Sequence, residues 1–374
     1  MRGRVPFARR NLLHRKARAA IALAAVCFSV LFMFMEMGFY NSILYSATAL
    51  YQSLDADVFL ISAKYLYIGQ TGVIPRQRLY EARQTAGVRE AIPLYIGRAM
   101  WRNPKTRLRH VILVFGIDPA QPTAPFTDQS RLLDTGQILL DSLTRPQFGP
   151  LDTGVETEIG SLQVRIAGQY RVGPGFAADG AAAMSDETFV RIFPDRSIGD
   201  INMGLIRLNP KADSRLAVEA LRHALPPDTR VLTRAEFLNV ESGYWADETS
   251  LGPVFGSGLV LGFVVGMVIL YQVMFTDIAN HMREYATMKA LGFTFPQLVR
   301  VVLKEVSVFG LIGFILGWLP SFLLYSVVNT YTGLPVTMSL MGSALIFLLT
   351  MSMCWASGFL AARKLRDADP AELF

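Results

Sequence analysis

Only two cysteines, Cys27 and Cys354, and four histidines occur in the 374 residues. Both cysteines fall inside apolar stretches, so neither a disulfide framework nor a cysteine-based zinc site can be built from them. His14, His110, His223 and His281 are too dispersed for a metal site or a proton relay. The sequence has no G-x-x-x-x-G-K-[ST] phosphate loop, no H-E-x-x-H and no G-x-S-x-G. The acidic pairs Glu156/Glu158 and Asp186/Glu187 fall on expected surface elements and read as solvated charge. These absences leave no parts for ATP hydrolysis or for other catalysis within this chain. No catalytic residue, metal or cofactor is expected, and any driving energy has to come from a partner. Charge is also missing over long stretches: Leu251 to Phe275 carries none, and neither does Val306 to Ala362 over 57 residues.

What is present is apolar. Hydrophobic residues make up 52% of the chain, and the mean hydropathy is +0.33. Both values suit a membrane protein with a sizeable domain outside the bilayer. Four stretches, 19–39, 254–275, 306–328 and 339–362, are long enough for a hydrocarbon core that takes about 20 helical residues to cross. The first has a long basic lead and a long apolar run, which reads as an uncleaved span rather than a signal peptide. Lys and Arg cluster in residues 1–18 (seven), 276–305 (four) and 363–374 (three). In a four-span chain these segments share one side, so both termini and the 276–305 loop are expected in the cytoplasm. Residues 40–253 carry 22 Lys/Arg against 23 Asp/Glu, and the rest of the chain carries 14 against 7. The basic balance therefore follows topology, and no nucleic-acid partner is expected.

The expected architecture is an α-helical membrane protein with four transmembrane helices and a large α+β domain inserted between the first and second. An amphipathic segment, 1–18, precedes the first span, and 40–53 continues it as a helix. A polar turn, 329–338, joins the third and fourth spans. Within 40–253, strands are expected at Asp57–Ser62, Val88–Trp101, Leu108–Ile117, Gln137–Leu143, Asn202–Leu208 and Arg230–Thr233. A hairpin is expected around Gly160-Ser161 and a loop over Gly173–Gly180. Helices are expected from Pro75, with proline in the first turn, from a Ser185 cap, over Ser214–Leu225 and over Arg234–Trp245. This order predicts a sheet with helices on one face.

The stretch 276–305 lies between two uncharged runs. Ile278, Met282, Tyr285, Met288 and Leu291/Gly292 recur at helical spacing, with His281, Arg283, Glu284 and Lys289 between them. Such a helix can press on a cytosolic partner, or lie among lipid headgroups with its basic groups toward anionic lipid. In the second span Gly258, Gly262 and Gly266 repeat a small-xxx-small spacing, a flat face for helix packing or for a dimer. Glu36 interrupts the first span near its outer end, where a carboxylate is expected at the interface, against another helix or in a protomer contact. Pro320 can kink the third span, with Ser321 beside it to re-satisfy the backbone.

Arg283-Glu284-Tyr285-Ala286-Thr287-Met288-Lys289-Ala290-Leu291-Gly292 resembles the R-E-x-[GA]-x-x-[KR]-A-[LI]-G signature of MacB/FtsX/LolE-type ABC transporter permeases. Ala8-Arg9-Arg10-Asn11-Leu12-Leu13-His14-Arg15-Lys16-Ala17-Arg18 is similar to that family's entry motif. Ala361-Ala362-Arg363-Lys364 with Asp369-Pro370-Ala371-Glu372-Leu373 is similar to its ending. Tyr285-Ala286 stands where many MacB-type chains have Ile-Gly. The Glu284–Gly292 stretch, Leu54–Ser62 and Arg366–Phe374 look like the DevC-type branch, the permease of a three-part exporter. The resemblance implies a homodimer in a bacterial inner membrane with a large periplasmic domain. It also implies a separate cytoplasmic ABC ATPase that holds ATP and magnesium, a periplasmic membrane-fusion adaptor and a TolC-like outer-membrane channel. The 276–305 segment would be the coupling helix, with Arg283, Glu284, Tyr285, Ala286, Met288, Lys289, Ala290, Leu291 and Gly292 as its ATPase-coupling residues. The implied cargo is a glycolipid or another amphiphile. An FtsX-like signalling scaffold that activates a periplasmic enzyme, or a lipoprotein-release permease, stands as the alternative.

Overall fold

The computed structural model describes residues 7–173, 175, 178–332 and 335–367, and the side chains of 7–18, 332 and 367 are not described. The side chains of the 8–18 motif, part of the Gly173–Gly180 loop and the ending from 368 lie outside the described residues. The chain divides into two units: 43–250, and 1–42 together with 251–374.

The first element is one continuous helix, α1 (Phe7–Ser53), which runs through the expected surface segment, the first apolar stretch and its continuation. The inserted α/β domain then follows in chain order as β1 (Val58–Ser62), β2 (Ile74–Pro75), α2 (Gln77–Arg83), β3 (Val88–Arg102), β4 (Arg109–Ile117), β5 (Gln137–Asp141), β6 (Glu156–Ile159), β7 (Leu162–Tyr170), β8 (Ala181–Ser185), α3 (Asp186–Ile192), β9 (Asp200–Ile201), β10 (Met203–Leu208), α4 (Ser214–Ala224), β11 (Thr229–Thr233) and α5 (Arg234–Gly243). A π-helical turn, Tyr244–Glu248, closes it.

Nine strands form one sheet in the order β11-β1-β10-β3-β4-β8-β5-β7-β6. The β4–β8 and β5–β7 pairs are parallel and the others antiparallel. The far edge strand β6 also pairs back onto β3, through Trp101↔Ile159 and Arg102↔Glu158. Six strands therefore close into a ring, while β11, β1 and β10 extend from it as an open sheet. Closure removes the edges that an open sheet would leave unpaired. The length of β3 makes this possible, because its first half pairs with β10 and its second half with β4 and β6. The expected hairpin is β6–β7, with Ile159 opposite Leu162 and Gly160 at φ +62° in the tight turn.

Helices cover both faces of the sheet, where one face was expected. Leu79 of α2, Phe189 of α3 and Leu221 of α4 pack with Val58, Leu60, Tyr95 and Trp101. On the other face Tyr51 of α1 and Phe237 of α5 pack with Phe59, Ile61, Leu94 and Phe115. The cause is in the strands: β1 is buried at all five positions, and a strand apolar on both sides needs cover on both sides. Pro75 also lies outside its expected helix. It belongs to β2, where it pairs with Asp200, and the Arg76 N–H donates to the Gly199 carbonyl, so helical turns begin only at Gln77. The strand expected to reach Leu143 stops at Asp141, whose carboxylate accepts the Leu143 N–H at 2.9 Å and turns the chain. In α5, Thr233 and Glu236 form a reciprocal capping box.

The second unit adds α6 (Leu251–Asn280), α7 (Met282–Ala290), α8 (Phe295–Thr332) and α9 (Leu340–Ala362), then a 3₁₀ turn, Arg363–Asp367. Four helices, α1, α6, α8 and α9, are long and apolar enough to cross a membrane. Their helical bounds overrun the apolar stretches, since α6 reaches Asn280 and α8 begins at Phe295. The 276–305 segment is therefore the end of α6, the short helix α7, a turn and the start of α8. Pro320 lies inside α8, and the Ser321 hydroxyl donates to the Gly317 carbonyl at 2.8 Å.

Candidate functional site

α7 is a nine-residue helix set between two breaks. At its start His281 leaves helical geometry while its N–H still donates to the Asp277 carbonyl at 3.1 Å, and its Nδ1 lies 2.8 Å from the same oxygen. The far end is a Schellman motif. The Gly292 N–H donates to the Lys289 carbonyl at 2.9 Å and the Phe293 N–H to the Met288 carbonyl at 3.1 Å. Gly292 sits at φ +94°, a left-handed conformation in which side-chain-bearing residues are strained. A Cβ there would meet nothing within 4 Å, so the glycine answers to backbone geometry and not to crowding.

The inward face holds Tyr285 and Ala286, 7% and 4% exposed, with Met282 and Met288 half-buried beside them. The buried Ala286 position suits a small residue, and Tyr285 fills the space beside it. Burial, reinforced by the charges of Glu305, Asp277 and Glu284, pushes the Tyr285 hydroxyl up to about 12, so it stays neutral. Lys289 Nζ donates to the Arg366 carbonyl at 3.1 Å, and the Arg366 guanidinium lies 5.1 Å from the centre of the Phe295 ring. These two contacts tie α7 and the start of α8 to the turn after α9.

The outward face carries Arg283, Glu284, Thr287 and Ala290, then Leu291, Gly292 and Phe293. Leu291 is 75% exposed, which departs from the expected stripe in which it continued the buried face. The physical reason is the helical rotation itself: the Leu291 N–H still donates to the Thr287 carbonyl at 3.0 Å, and six residues at about 100° each set Leu291 about 120° round the helix from Tyr285. The result is an apolar knuckle, Leu291 and Phe293, beside an exposed Arg283 and Glu284.

The second group of sequence candidates comes together elsewhere in this unit. A Cβ at Gly258 would run into the Glu36 carboxylate, one at Gly262 into Phe32 and Met33, and one at Gly266 into Ser29 and Met353. The glycine face of α6 is thus occupied by α1 of the same chain, with α9 at one end. Among the described residues no cation pairs with Glu36.

Two features escaped the sequence reading. Gly313 and Gly317 of α8 repeat the same four-residue spacing against Val26 and Val30 of α1, and the Tyr325 hydroxyl donates to the Phe34 carbonyl. That spacing was legible. The other is Glu241 in the α/β domain, fully buried and accepting from the Tyr65 hydroxyl at 2.6 Å and the Ile68 N–H at 3.2 Å. Tyr65 in turn meets the Tyr51 hydroxyl at 2.9 Å. Burial pushes the Glu241 carboxyl up to about 7, against the three donors, Tyr65, Ile68 and Trp245, that pull it down. Its place four residues after Phe237, on the buried stripe of α5, was the available signal. Among the described residues no group of His, Cys, Asp and Glu is arranged to hold a metal ion.

The FtsX-like permease C-terminal family model matches residues 256–370. No curated protein sequence matches the chain. Among solved structures, the periplasmic region of MacB from Actinobacillus actinomycetemcomitans overlays at a TM-score of 0.37 with 9% identity, covering 50% of this chain and 92% of that one. The extracellular domain of the noncanonic ABC-type transporter YknZ from Gram-positive bacteria overlays at 0.33 with 10% identity, covering 47% and 99%. A domain of a putative permease protein from Porphyromonas gingivalis overlays at 0.29 with 12% identity, covering 46% and 85%. The matched segment takes in most of α6 and all of α7, α8 and α9, so this part of the chain is similar to the C-terminal part of FtsX-like permeases.

Proposed function

We propose that this chain is the membrane-spanning permease subunit of a three-part, DevC-type exporter and works as a homodimer in a bacterial inner membrane. Both termini and α7 face the cytoplasm in this reading, and the α/β domain lies in the periplasm. Residues 19–39, 254–275, 306–328 and 339–362 cross the bilayer. Two copies of a separate ABC ATPase, which hold ATP and magnesium, dock against α7. Their closure displaces α6 and α8, the helices on either side of α7. The α/β domains pass that motion to a membrane-fusion adaptor and a TolC-like channel, through which a glycolipid or another amphiphile leaves.

The observation that carries this reading is the geometry of α7. A short helix capped by Gly292 presents Leu291 at 75% exposure, while its other face is anchored by Tyr285 and Ala286. A surface docking element needs both a rigid base and an unoccupied apolar tip. The site residues divide accordingly. Tyr285, Ala286, Met288 and Lys289 transmit, Arg283, Glu284, Ala290 and Leu291 contact the partner, and Gly292 sets the end of the helix.

The test is affinity purification of the tagged chain in mild detergent, with mass spectrometry of what accompanies it and an ATPase assay. Recovery of an ATPase with an adaptor supports the exporter. An ATPase accompanied by a periplasmic hydrolase and no adaptor would replace it with a signalling scaffold. Reproducible absence of any ATPase would sink the reading.

A further inference from the structure

A groove of about 400 Å³ opens between α6 and α9 at the end of the helices nearest the Arg363–Asp367 turn. Its walls are apolar, with Val268, Tyr271 and Phe275 from α6 and Leu360 from α9. At one end the lining changes to Arg363 and Lys364. No acidic side chain is among the described lining residues. The Arg363 guanidinium is held 5.5 Å from the centre of the Phe359 ring, which fixes a cation at the mouth. Val268 to Phe275 spans about 10 Å along a helix, enough for a segment of acyl chain.

We propose that this groove binds one anionic phospholipid, with an acyl chain along Val268, Tyr271, Phe275 and Leu360 and the headgroup phosphate between Arg363 and Lys364. The inference rests on the bilayer placement proposed above, which puts Arg363 and Lys364 at the cytoplasmic headgroup level. There a basic residue near the surface favours anionic lipid. Charge separates this occupant from the alternatives. A zwitterionic lipid would fill the apolar part equally well but gain little from two cations. A second copy of this chain seated on the same groove by a two-fold axis would bring like charge to like. The site also lies beside the coupling region, because the turn that carries Arg363 and Lys364 supplies the carbonyl that Lys289 of α7 holds. Lipid bound here would therefore steady the anchor of α7.

Native mass spectrometry of the purified full-length chain, exchanged with phosphatidylglycerol, phosphatidylethanolamine or inorganic phosphate, tests this. Wild type should retain phosphatidylglycerol over phosphatidylethanolamine by roughly tenfold. The R363Q/K364Q double variant should bring the two lipids to near parity, and R363K/K364R should restore the preference. Val268→Trp, which fills the apolar wall, should lower retention of both lipids. Parity in wild type, an unchanged preference in R363Q/K364Q, or unchanged retention in Val268→Trp would overturn the site. So would binding of phosphate alone at the same residues, or a change in oligomeric state on filling the groove. Carbonate extraction of membranes separates the two readings. A chain that stays in washed membranes but shows no anionic preference loses this site and keeps its permease reading.

Discussion

The two units treat the same chemistry in opposite ways. The α/β domain turns its apolar side chains inward on both faces of the sheet, and Phe59, Phe189 and Phe237 are fully buried. The helical unit leaves comparable residues outside: Val260, Leu261, Leu323 and Leu348 are more than half exposed. Only 17% of the most apolar window of α6 is buried inside the unit. Polar groups differ in the same sense. In the α/β domain, buried Asn202 and Glu241 reach across sequence to Thr71 and Tyr65. In the helical unit most serine and threonine hydroxyls fold back on their own helix, as Ser321 does to Gly317 and Thr350 to Ile346, while Tyr325 and Ser357 reach the Phe34 and Met267 carbonyls of neighbouring helices. A helix that satisfies itself this way needs no water, and lipid asks that of every spanning segment. Where water is the solvent, apolar area has to be hidden and polar groups can afford long-range partners. In the solvent proposed for the helices, apolar area can stay outside and every polar group needs a partner within the protein.

The largest effect that could break this comparison is a matched pair of truncations. Phe237→Ala should cost about 3–5 kcal/mol, because the ring packs on Tyr51, Phe59 and Tyr65 and leaves a cavity. Phe322→Ala, on the exposed side of α8, should cost under about 1 kcal/mol in detergent or lipid, where apolar solvent refills the space. Denaturant titration of the full chain measures both. Similar losses would mean that the Phe322 face packs against protein.

Next in size is the pH dependence of the α/β domain. The Glu241 carboxyl rises from 4.5 to about 7 on folding, so the folded state holds its proton over a range where the unfolded state has lost it. Stability from this group is full below about 4.5 and is lost as pH rises through about 7, a change on the order of 3 kcal/mol. Glu241→Gln should flatten the slope over that window, as followed by denaturation midpoints at several pH values. An unchanged slope would mean that another group supplies it.

Gly292→Ala should cost about 1–2 kcal/mol locally, through strain at a left-handed position. Faster hydrogen exchange of 282–293 with little change in global stability is the expected signature, and the ATPase coupling of the purified complex should weaken with it. Gly292→Asn should do less harm, since asparagine tolerates this region. Smallest in stability is Leu291→Ser, within about 0.5 kcal/mol at so exposed a site. It should still reduce the ATPase recovered with the chain. Undiminished recovery would remove Leu291 from the docking surface.

Much of the fold was legible because its signals are local. The uncharged runs mark the four apolar helices, alternation and turn residues mark β3, β4 and the β6–β7 hairpin, and Ser185 marks a helix start. The coupling candidates were legible as a motif, but their orientation was not. The expected stripe grouped Leu291 with Tyr285, whereas six residues of helical rotation set them about 120° apart, and which of the two is buried depends on what the helix packs against. The residues of Glu241's network are far apart in sequence, 176 positions from Tyr65, so no window could show them together.

By itself the sequence determined the order of the chain: apolar segments long enough for a bilayer, a charge-balanced insert between the first and second, and a short basic-and-acidic helix between the second and third. These follow from composition and period, which each segment carries alone. Tertiary structure decided the rest: the return of β6 to β3 that closes the strand ring, the cover of both sheet faces, the filling of the α6 glycine face by α1, and the direction in which the end of α7 points. Each of those depends on which distant surfaces meet, and the free energy of that meeting is spread over many residues that no single stretch contains.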